Sequence, residues 1–571
     1  MCGIAGIMTA DGSAPDAVAL EAMKNALLHR GPDGDAVWTS GDTGLVHTRL
    51  AIIDLETGDQ PLFGSGGTAL VANGEIYNYI ELRDELSEVD FTTNSDCEPV
   101  LHYYRTYGPG FAEWLRGMYA LALYDPQERR LVLSRDPFGI KPLYYAQAEN
   151  GIAFASEAQA LLAAGFGRRE LRDRPIGELL QLQFTTGAHT PFDGIQRVLP
   201  GETIVIAGGR IIDRRHRAAL PEGGPQRMSE ATALKALEVA LTDSVDVHQR
   251  ADVPYAMFLS GGIDSSAILA LMARLNDRPV YAYTAGFPGT DAADERAHAR
   301  SVAQSFGAQH VEVTFEASDE PVADYAILPT WKLAQVASKD HKVILSGEGG
   351  DEIFGGYGRY RSLMRPWWMG GRGMRRRGIL DGLGVLRRDN PAWRDGIAAA
   401  EAVMRTGGRS RLQVAQAVDC ADWLPNDLLT KLDRCLMAHG VEGRTPFLDP
   451  AVANAAFRLP DALKVKGGLG KWILRKWLDD VAPAAQAFSK KKGFTVPVGE
   501  WIAAEGDRIG PLVAAQAGVA ERCRPEAVIA LFQAPGKRER FAAWTLLFFA
   551  LWHQHHILGI SNEGDAFDAL A

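Results

Sequence analysis

The hydrophobic period of this chain changes once, near residue 210, and one sheet architecture cannot satisfy both patterns. Before that point the apolar segments are short, alternating or continuous, and bounded by Gly, Asp and Pro: CGIAGIM, GTALVANG, MYALALYD, RLVLSRD, GIAFAS and ETIVIAGG. Such runs read as strands. Helical stretches are fewer, around 14–28 and 76–86, so residues 1–210 are expected to form strand-rich α+β layers. After the Gly-, Pro- and Arg-rich stretch AGGRIIDRRHRAALPEGGPQ, compact strands (VPYAMFLS, PVYAYTAGF, HVEVTF, HKVILSGEG) alternate with helical runs such as AILALMARL. That alternation predicts a parallel, doubly wound sheet within 211–571, mostly helical beyond Asp351.

Composition narrows the partners. A length of 571 residues is enough for two to four cores at roughly 100–200 residues each. The formal net charge of −11 supplies no global basic field, so neither nucleic acid nor a membrane is expected as a partner. Small molecules are favoured instead. The five cysteines, at 2, 97, 420, 435 and 523, form no CxxC pair, and the first residues carry Asp11 and Asp16 without a basic leader region. Both features fit a cytoplasmic protein. The longest apolar run, Phe541 to Trp552, falls short of the roughly 20 residues that span a bilayer and reads as a buried helix. His553, His555 and His556 read as its partly exposed end rather than a metal cluster, and Arg375, Arg376 and Arg377 as solvated surface.

Two loops in the second half carry chemistry. FLSGGIDSS, Phe258 to Ser266, sets a glycine pair and hydroxyls between an expected strand and an expected helix. Gly261 and Gly262 permit close backbone approach to a phosphate, helix N–H groups face an anion, and Ser260 and Ser265 add donors beside Leu259. Asp264 would repel a bare phosphate, so its place there calls for Mg²⁺. The second loop, SGEGGDE from Ser346 to Glu352, follows the strand KVIL and should open at the same sheet edge. Ser346 and Gly347 would then face the same nucleotide, Asp351 would be the second metal carboxylate, and Glu348 a general base or orienting acid. No GxxxxGK[ST] run is present. The pattern therefore suits a loop that grips pyrophosphate while an acid attacks the α-phosphorus.

SGGIDSS resembles the pyrophosphate loop of ATP pyrophosphatases, and with SGEGGDEIFGGY, VEGRTPFLD, GGLGKWILRKWL and KKKGFTVPVGEW it resembles the synthetase part of glutamine-dependent asparagine synthetases. The resemblance implies that ATP and Mg²⁺ are used and that Lys471, in GKWILRK, stabilises the adenylylated intermediate. Aspartate is the acceptor it implies.

Cys2 is the other focus. Removal of Met1 would leave a thiol and a free α-amine on one residue, nucleophile and base together. The motifs MCGIAGI, HRGPDG, HTRLAIID, NGEIYNY and NSDCE, in this order, resemble the N-terminal-nucleophile glutaminase of class II amidotransferases. That family's fold is an αββα sandwich. The resemblance implies Cys2 as nucleophile, Arg49 on the glutamine α-carboxylate, Asn73 and Gly74 as oxyanion donors that also contact the substrate, and Glu75 and Asp96 at its α-amino end. RDPFGIKPLYY and FASE resemble the same pattern and read as framework or interdomain surface.

The combined expectation is an αββα glutaminase over 1–210 and an ATP-pyrophosphatase-type synthetase with a helical C-terminal part over 211–571. Glutamine, ATP and aspartate are the expected substrates, and a homodimer is compatible with the family. Of two departures from the family pattern, the first keeps a different carboxylate open, such as a polysaccharide, peptide or natural-product precursor. Aligned through Pro329, the chain has Tyr325 where an arginine stands in the best-described aspartate-using branch, and VEGRTPFLD has Gly443 where a larger residue is common.

Overall fold

The computed structural model describes residues 2–287, 295–314, 326–405, 407–489, 496–560 and 565–571. Its N-terminal half is a stack of two six-stranded antiparallel sheets. The first has the strand order Ile195–Arg197, Tyr144–Ala148, Gly151–Ala155, Gly3–Thr9, Thr43–Arg49, Gly34–Ser40. The second runs Arg210–His216, Glu202–Ala207, Arg130–Arg135, Gly117–Asp125, Ala69–Ile76, Leu62–Phe63. Period two sorts the side chains: Ile4 and Met8 join Leu133, Ile204 and Val71 between the sheets, whereas Ala5 and Ile7 face Leu20, Met23 and Leu161 of the outer helices. The far face of the second sheet is covered by Val100, Leu101 and Tyr104 of the helix Glu98–Tyr107. The αββα sandwich follows.

The expected strands are all present. Two boundaries moved: the strand Ala69–Ile76 runs through the start of the expected helix, which begins only at Tyr79, and the edge strand Arg210–His216 continues past 210. At the latter, alternation is weak because an edge strand exposes one side.

The C-terminal half is built on a five-stranded sheet, all parallel, ordered Gln309–Thr314, Tyr281–Gly286, Tyr255–Phe258, Val343–Leu345, Glu442–Arg444. Strand order reverses beside Tyr255–Phe258, and a crevice opens outside the carboxyl ends of strands at such a point. FLSGGIDSS and SGEGGDE leave the two strands that flank it. The helix Lys537–His553 holds the long apolar run, buried against Phe532 and Val513, and no described helix is long and apolar enough to cross a membrane. His553 is buried rather than half exposed, because it packs against Gly518. Arg375 also turns inward, over the rings of Phe184 and Trp423, while Arg376 and Arg377 stay exposed.

The two halves share one apolar core. Leu50, Ile52, Tyr77, Met118, Phe138 and Ile140 pack with Leu241, Val245, Phe447 and Leu448. Charged contacts frame it: Arg116 Nε lies 2.8 Å from Asp449, and buried Arg30 donates to Asp433 at 2.8 and 3.1 Å.

Candidate active sites

Cys2 lies at the entrance of the strand Gly3–Thr9, in the interior of the sandwich, with only 8 % of its surface exposed. Its backbone N–H donates to Asn73 Oδ1 at 3.2 Å, and its carbonyl accepts from Arg30 Nε at 3.3 Å. The first bond orients the Asn73 amide, leaving Nδ2 buried and without a hydrogen-bond partner among the described residues. A buried donor left unmade is costly, so it marks where an acceptor belongs. Burial pushes the Cys2 thiol up, and the Leu50 backbone hydrogen-bonded to it works the other way. Gly74, next along the strand, has φ +148°, and a Cβ there would lie 2.0 Å from Met118 O. Only glycine fits that crossing.

Arg49 ends the strand Thr43–Arg49 and reaches past Gly58, where a Cβ would stand 2.7 Å from Nη2. Its Nη1 meets Asp59 at 2.7 Å and Nη2 the carbonyl of Asp54. Asp59 is 84 % exposed, and such ion pairs are worth about 0–1 kcal/mol, so a substrate carboxylate can displace it. Asp96 accepts from Ile76 N–H at 2.7 Å, and burial raises its carboxyl to about 6. Glu75 is raised well above the ordinary carboxylate range, first by burial and then by Glu442 and Asp96. Its Oε2 lies 3.4 Å from Arg444 Nη2. Cys2, Asn73, Gly74, Glu75 and Asp96 therefore occupy one buried corner, with Arg49 on its rim.

In the second half, Leu259 to Gly262 link the strand Tyr255–Phe258 to the helix Ile263–Leu275, whose first turn contains Asp264 and Ser265. The loop braces itself: Ser265 Oγ accepts from Ser260 N–H at 3.2 Å and lies 3.1 Å from Ser260 Oγ, and Ser260 Oγ accepts from Gly262 N–H at 3.2 Å. Gly261 has φ +69°. The second loop touches the first through its glycines, since a Cβ on Gly347 would be 3.0 Å from Asp264 Cβ and one on Gly350 2.5 Å from its Oδ1. Glu348 faces Lys431, 3.8 Å away, a residue no sequence motif indicated.

Lys471 joins the two loops. Its ammonium contacts Asp264 Oδ2 and lies 2.9 Å from Asp351 Oδ1, the two carboxylates expected at Mg²⁺. Burial opposes its charge, but the two carboxylates outweigh that and hold Lys471 above its ordinary value. One cation reaching both oxygens is evidence that the pair converges closely enough for a divalent ion. No cluster of three or more His, Cys, Asp or Glu suited to a metal exists among the described residues. The converging pair Asp264 and Asp351 fits Mg²⁺, which is commonly bound by one or two carboxylates with phosphate oxygens and water completing the shell. Beside it, Glu352 is fully enclosed, raised to about 8 by burial and then by Asp351, and hydrogen-bonded to Tyr357 Oη at 2.8 Å.

Of the two departures, Tyr325 lies outside the described residues. Gly443 is tightly enclosed: a Cβ would stand 3.1 Å from Leu432 Cγ and 3.2 Å from Leu436 Cδ2, so a larger residue requires those leucines to shift.

Residues 1–217 match the glutamine amidotransferase domain and residues 236–554 the asparagine synthase family. The chain is 31 % identical to asparagine synthetase [glutamine-hydrolyzing] 1 of Bacillus subtilis, over 98 % of this chain and 97 % of that one. It is 30 % identical to asparagine synthetase B [glutamine-hydrolyzing] of Escherichia coli, over 88 % and 83 %, and 32 % identical to amidase chry2 of Gibberella zeae, over 64 % and 61 %. With both family matches falling on the two sites described above, the chain belongs to the asparagine synthase family of ATP-dependent amide ligases, with a glutamine amidotransferase domain at its N-terminal end.

Proposed function

We propose that the protein makes asparagine from aspartate, drawing ammonia from glutamine at one site and activating the acceptor with ATP at the other. The observation that carries this reading is the convergence of Asp264, Asp351 and Lys471 from three separate segments at the switch point of the sheet. In the first half, residues 1–210 would act as the glutaminase. Arg49 would pair with the glutamine α-carboxylate, and Glu75 and Asp96 with its ammonium. Cys2 Sγ would attack the side-chain amide carbon, the charge on oxygen being met by Asn73 Nδ2 and the Gly74 N–H. Ammonia leaves, and water hydrolyses the thioester to glutamate. The α-amine of Cys2 serves as base only after Met1 is removed, which intact-mass measurement of the purified protein detects.

In residues 211–571 the loops Leu259–Ser265 and Ser346–Glu348 would hold ATP. An oxygen of the acceptor carboxylate attacks the α-phosphorus and pyrophosphate departs; ammonia then displaces AMP from the acyl carbon. Asp264 and Asp351 would hold Mg²⁺, which supplies positive charge to the departing pyrophosphate. Lys471 would turn from these carboxylates to the α-phosphate, where charge develops, and Glu348 would orient or deprotonate the incoming groups. Ammonia protonates readily in water at neutral pH, and the apolar contact of Leu50, Met118 and Ile140 with the second half supports a dry passage between the sites.

The test is to incubate the protein with glutamine, ATP and Mg²⁺, with and without aspartate, and to quantify asparagine, AMP and pyrophosphate. Stoichiometric asparagine and AMP are expected. AMP release that needs a different carboxylate, with no asparagine from either glutamine or ammonia, would transfer the acceptor to the polysaccharide, peptide or natural-product class. The relation to amidase chry2 is the observation favouring that second reading.

A further inference from the structure

Arg444 contacts both sites at once. It belongs to the last strand of the parallel sheet, in the half that carries the ATP loops, and it is fully buried. Its guanidinium spreads over four partners. Nε meets Glu442 Oε1 at 2.5 Å, Nη1 donates to the carbonyls of His248 and Arg250 at 2.9 and 2.7 Å, and Nη2 faces Glu75 Oε2 at 3.4 Å. The ring of Tyr77, two residues beyond Glu75, lies 5.7 Å from the guanidinium carbon. The main chain of the same residue faces the other way. Its carbonyl accepts from the N–H of Ser346 at 2.8 Å, the residue where the second ATP loop leaves its strand. Four residues on, Leu448 fills the space against which Gly349 of that loop rests, since a Cβ on Gly349 would stand 2.3 Å from Leu448 Cδ2.

The two contacts differ in kind. The carbonyl and Glu442 contacts are short hydrogen bonds that anchor the strand. The contact with Glu75 is longer, and neither Arg444 Nη2 nor Glu75 Oε2 has a hydrogen-bond partner among the described residues. It is held by charge and free to tighten. Its strength depends on how fully Glu75 is ionised. The corner contains three carboxylates, Glu75, Asp96 and Glu442, facing the Arg444 guanidinium, the N-terminal amine and the Lys141 ammonium, which sits 3.5 Å from the carbonyl of Gly443. A bound ammonium group adds positive charge beside Glu75 and keeps it ionised, and an ionised Glu75 is attracted to Nη2 where a neutral one is not.

We propose that Arg444 is a positioning residue that couples the two sites: glutamine held by Glu75 tightens the Glu75–Arg444 pair, fixes the strand Glu442–Arg444, and through its carbonyl fixes Ser346 in the nucleotide-binding arrangement. The proposal rests on the glutaminase and ATP-site reading above. Linkage makes the effect reciprocal, so nucleotide must strengthen glutamine binding by the factor by which glutamine strengthens nucleotide binding.

The experiment measures kcat and KM for glutamine hydrolysis with and without α,β-methylene-ATP and Mg²⁺, which occupy the ATP site without adenylylation. In the wild-type protein KM for glutamine is expected to fall by about fivefold or more when the analogue is present, with a smaller change in kcat. Arg444→Gln and Arg444→Lys should both bring that ratio close to one. The lysine variant keeps a cation beside Glu442 but lacks the planar fork that spans the partners, and it carries the test if the glutamine variant does not fold. A purely structural role would lower stability and leave the ratio unchanged. A wild-type ratio of one, or an unchanged ratio in a folded variant, overturns the coupling while glutaminase activity and analogue binding persist. Absence of glutaminase activity or of analogue binding in the wild type overturns the underlying reading, and the coupling with it.

Discussion

The glutaminase corner and the ATP crevice are both assembled from distant segments, but they hold their unmet polarity in opposite ways. In the first, the key groups stand on strands of a closed sandwich: Asn73 and Gly74 within Ala69–Ile76, and Cys2 at the head of Gly3–Thr9. Strand pairing holds Asn73, Gly74 and the residue that follows Cys2, and Asn73 Nδ2, a donor with no hydrogen-bond partner among the described residues, stands in a finished position. In the second, the groups stand on loops and helix starts beyond the sheet, and Lys471 bridges the carboxylates that would otherwise repel each other. An oxyanion exists only transiently, so its site must be rigid in advance. A nucleotide brings its own charges, so its site must be able to exchange an internal cation for an external one.

Breaking the first site at its nucleophile has the largest expected effect. Cys2→Ala should lower glutamine-dependent turnover by more than about 10⁴-fold while ammonia-dependent synthesis persists. Equal loss of both activities in side-by-side assays would show that the two sites are not separate. The next effects are of one size on opposite sides. Asn73→Ala should cost about 10²–10³-fold in kcat for glutamine hydrolysis, the loss found when one oxyanion donor is removed. Lys471→Met should cost a similar factor, about 10²–10³-fold, in AMP formation with ammonia. Glutamine hydrolysis in that variant should stay within about twofold, because the substitution shares no partner with the first site. The contrast sharpens without turnover as well. Lys471→Met removes the ammonium that lies between Asp264 and Asp351, so the thermal midpoint of the variant should fall below wild type and recover more on adding Mg²⁺. A midpoint indifferent to Mg²⁺ in the variant would mean that the carboxylates do not form a cation site.

The same contrast explains how much was legible in the sequence. Both architectures were, because period two and the alternation of strands and helices are local signals; the strands around GTALVANG and MYALALYD lie where their apolar runs stand. The motif residues of the first site gather in one corner because they sit on or beside paired strands. Strands such as Gly34–Ser40, Thr43–Arg49 and Glu442–Arg444 were harder to see. The first alternates half-buried with exposed positions and puts Val37 on the exposed side, and the last is only a few residues long, bearing two charges that burial would ordinarily exclude. Arg444 was therefore invisible as a site residue: a charged residue inside a short motif acquires meaning only when Glu75 is brought to it from the other half of the chain. Lys431 beside Glu348 and Arg30 between Cys2 and Asp433 are of the same kind. The position of Lys471 on the carboxylates rather than facing a phosphate depends on charge balance, which no motif encodes.

The smallest effect is also the one that separates what burial does for function from what it does for stability in the first site. Asp96 titrates near 6 in the folded protein because burial disfavours its charge, against an ordinary aspartate value near 3.9. The folded state therefore holds the proton more tightly than the unfolded chain, and stability from this group is greatest below about pH 4 and is lost as pH rises through 6. The shift corresponds to about 3 kcal/mol. Activity runs the other way, since only the ionised carboxylate can pair with the glutamine ammonium. kcat/KM for glutamine, which reports the free enzyme, should decline on acidification as Glu75 and Asp96, both raised by burial, take up protons, by about a factor of ten per pH unit for each group that protonates. Asp96→Asn should weaken glutamine binding at every pH, remove the second proton from the acid limb, and make the variant less sensitive than wild type to the loss of stability between pH 4 and 6. Parallel pH profiles of kcat/KM and of the thermal midpoint decide it: an acid limb of unchanged steepness in the variant assigns the titration to some other group and takes Asp96 out of the ammonium site.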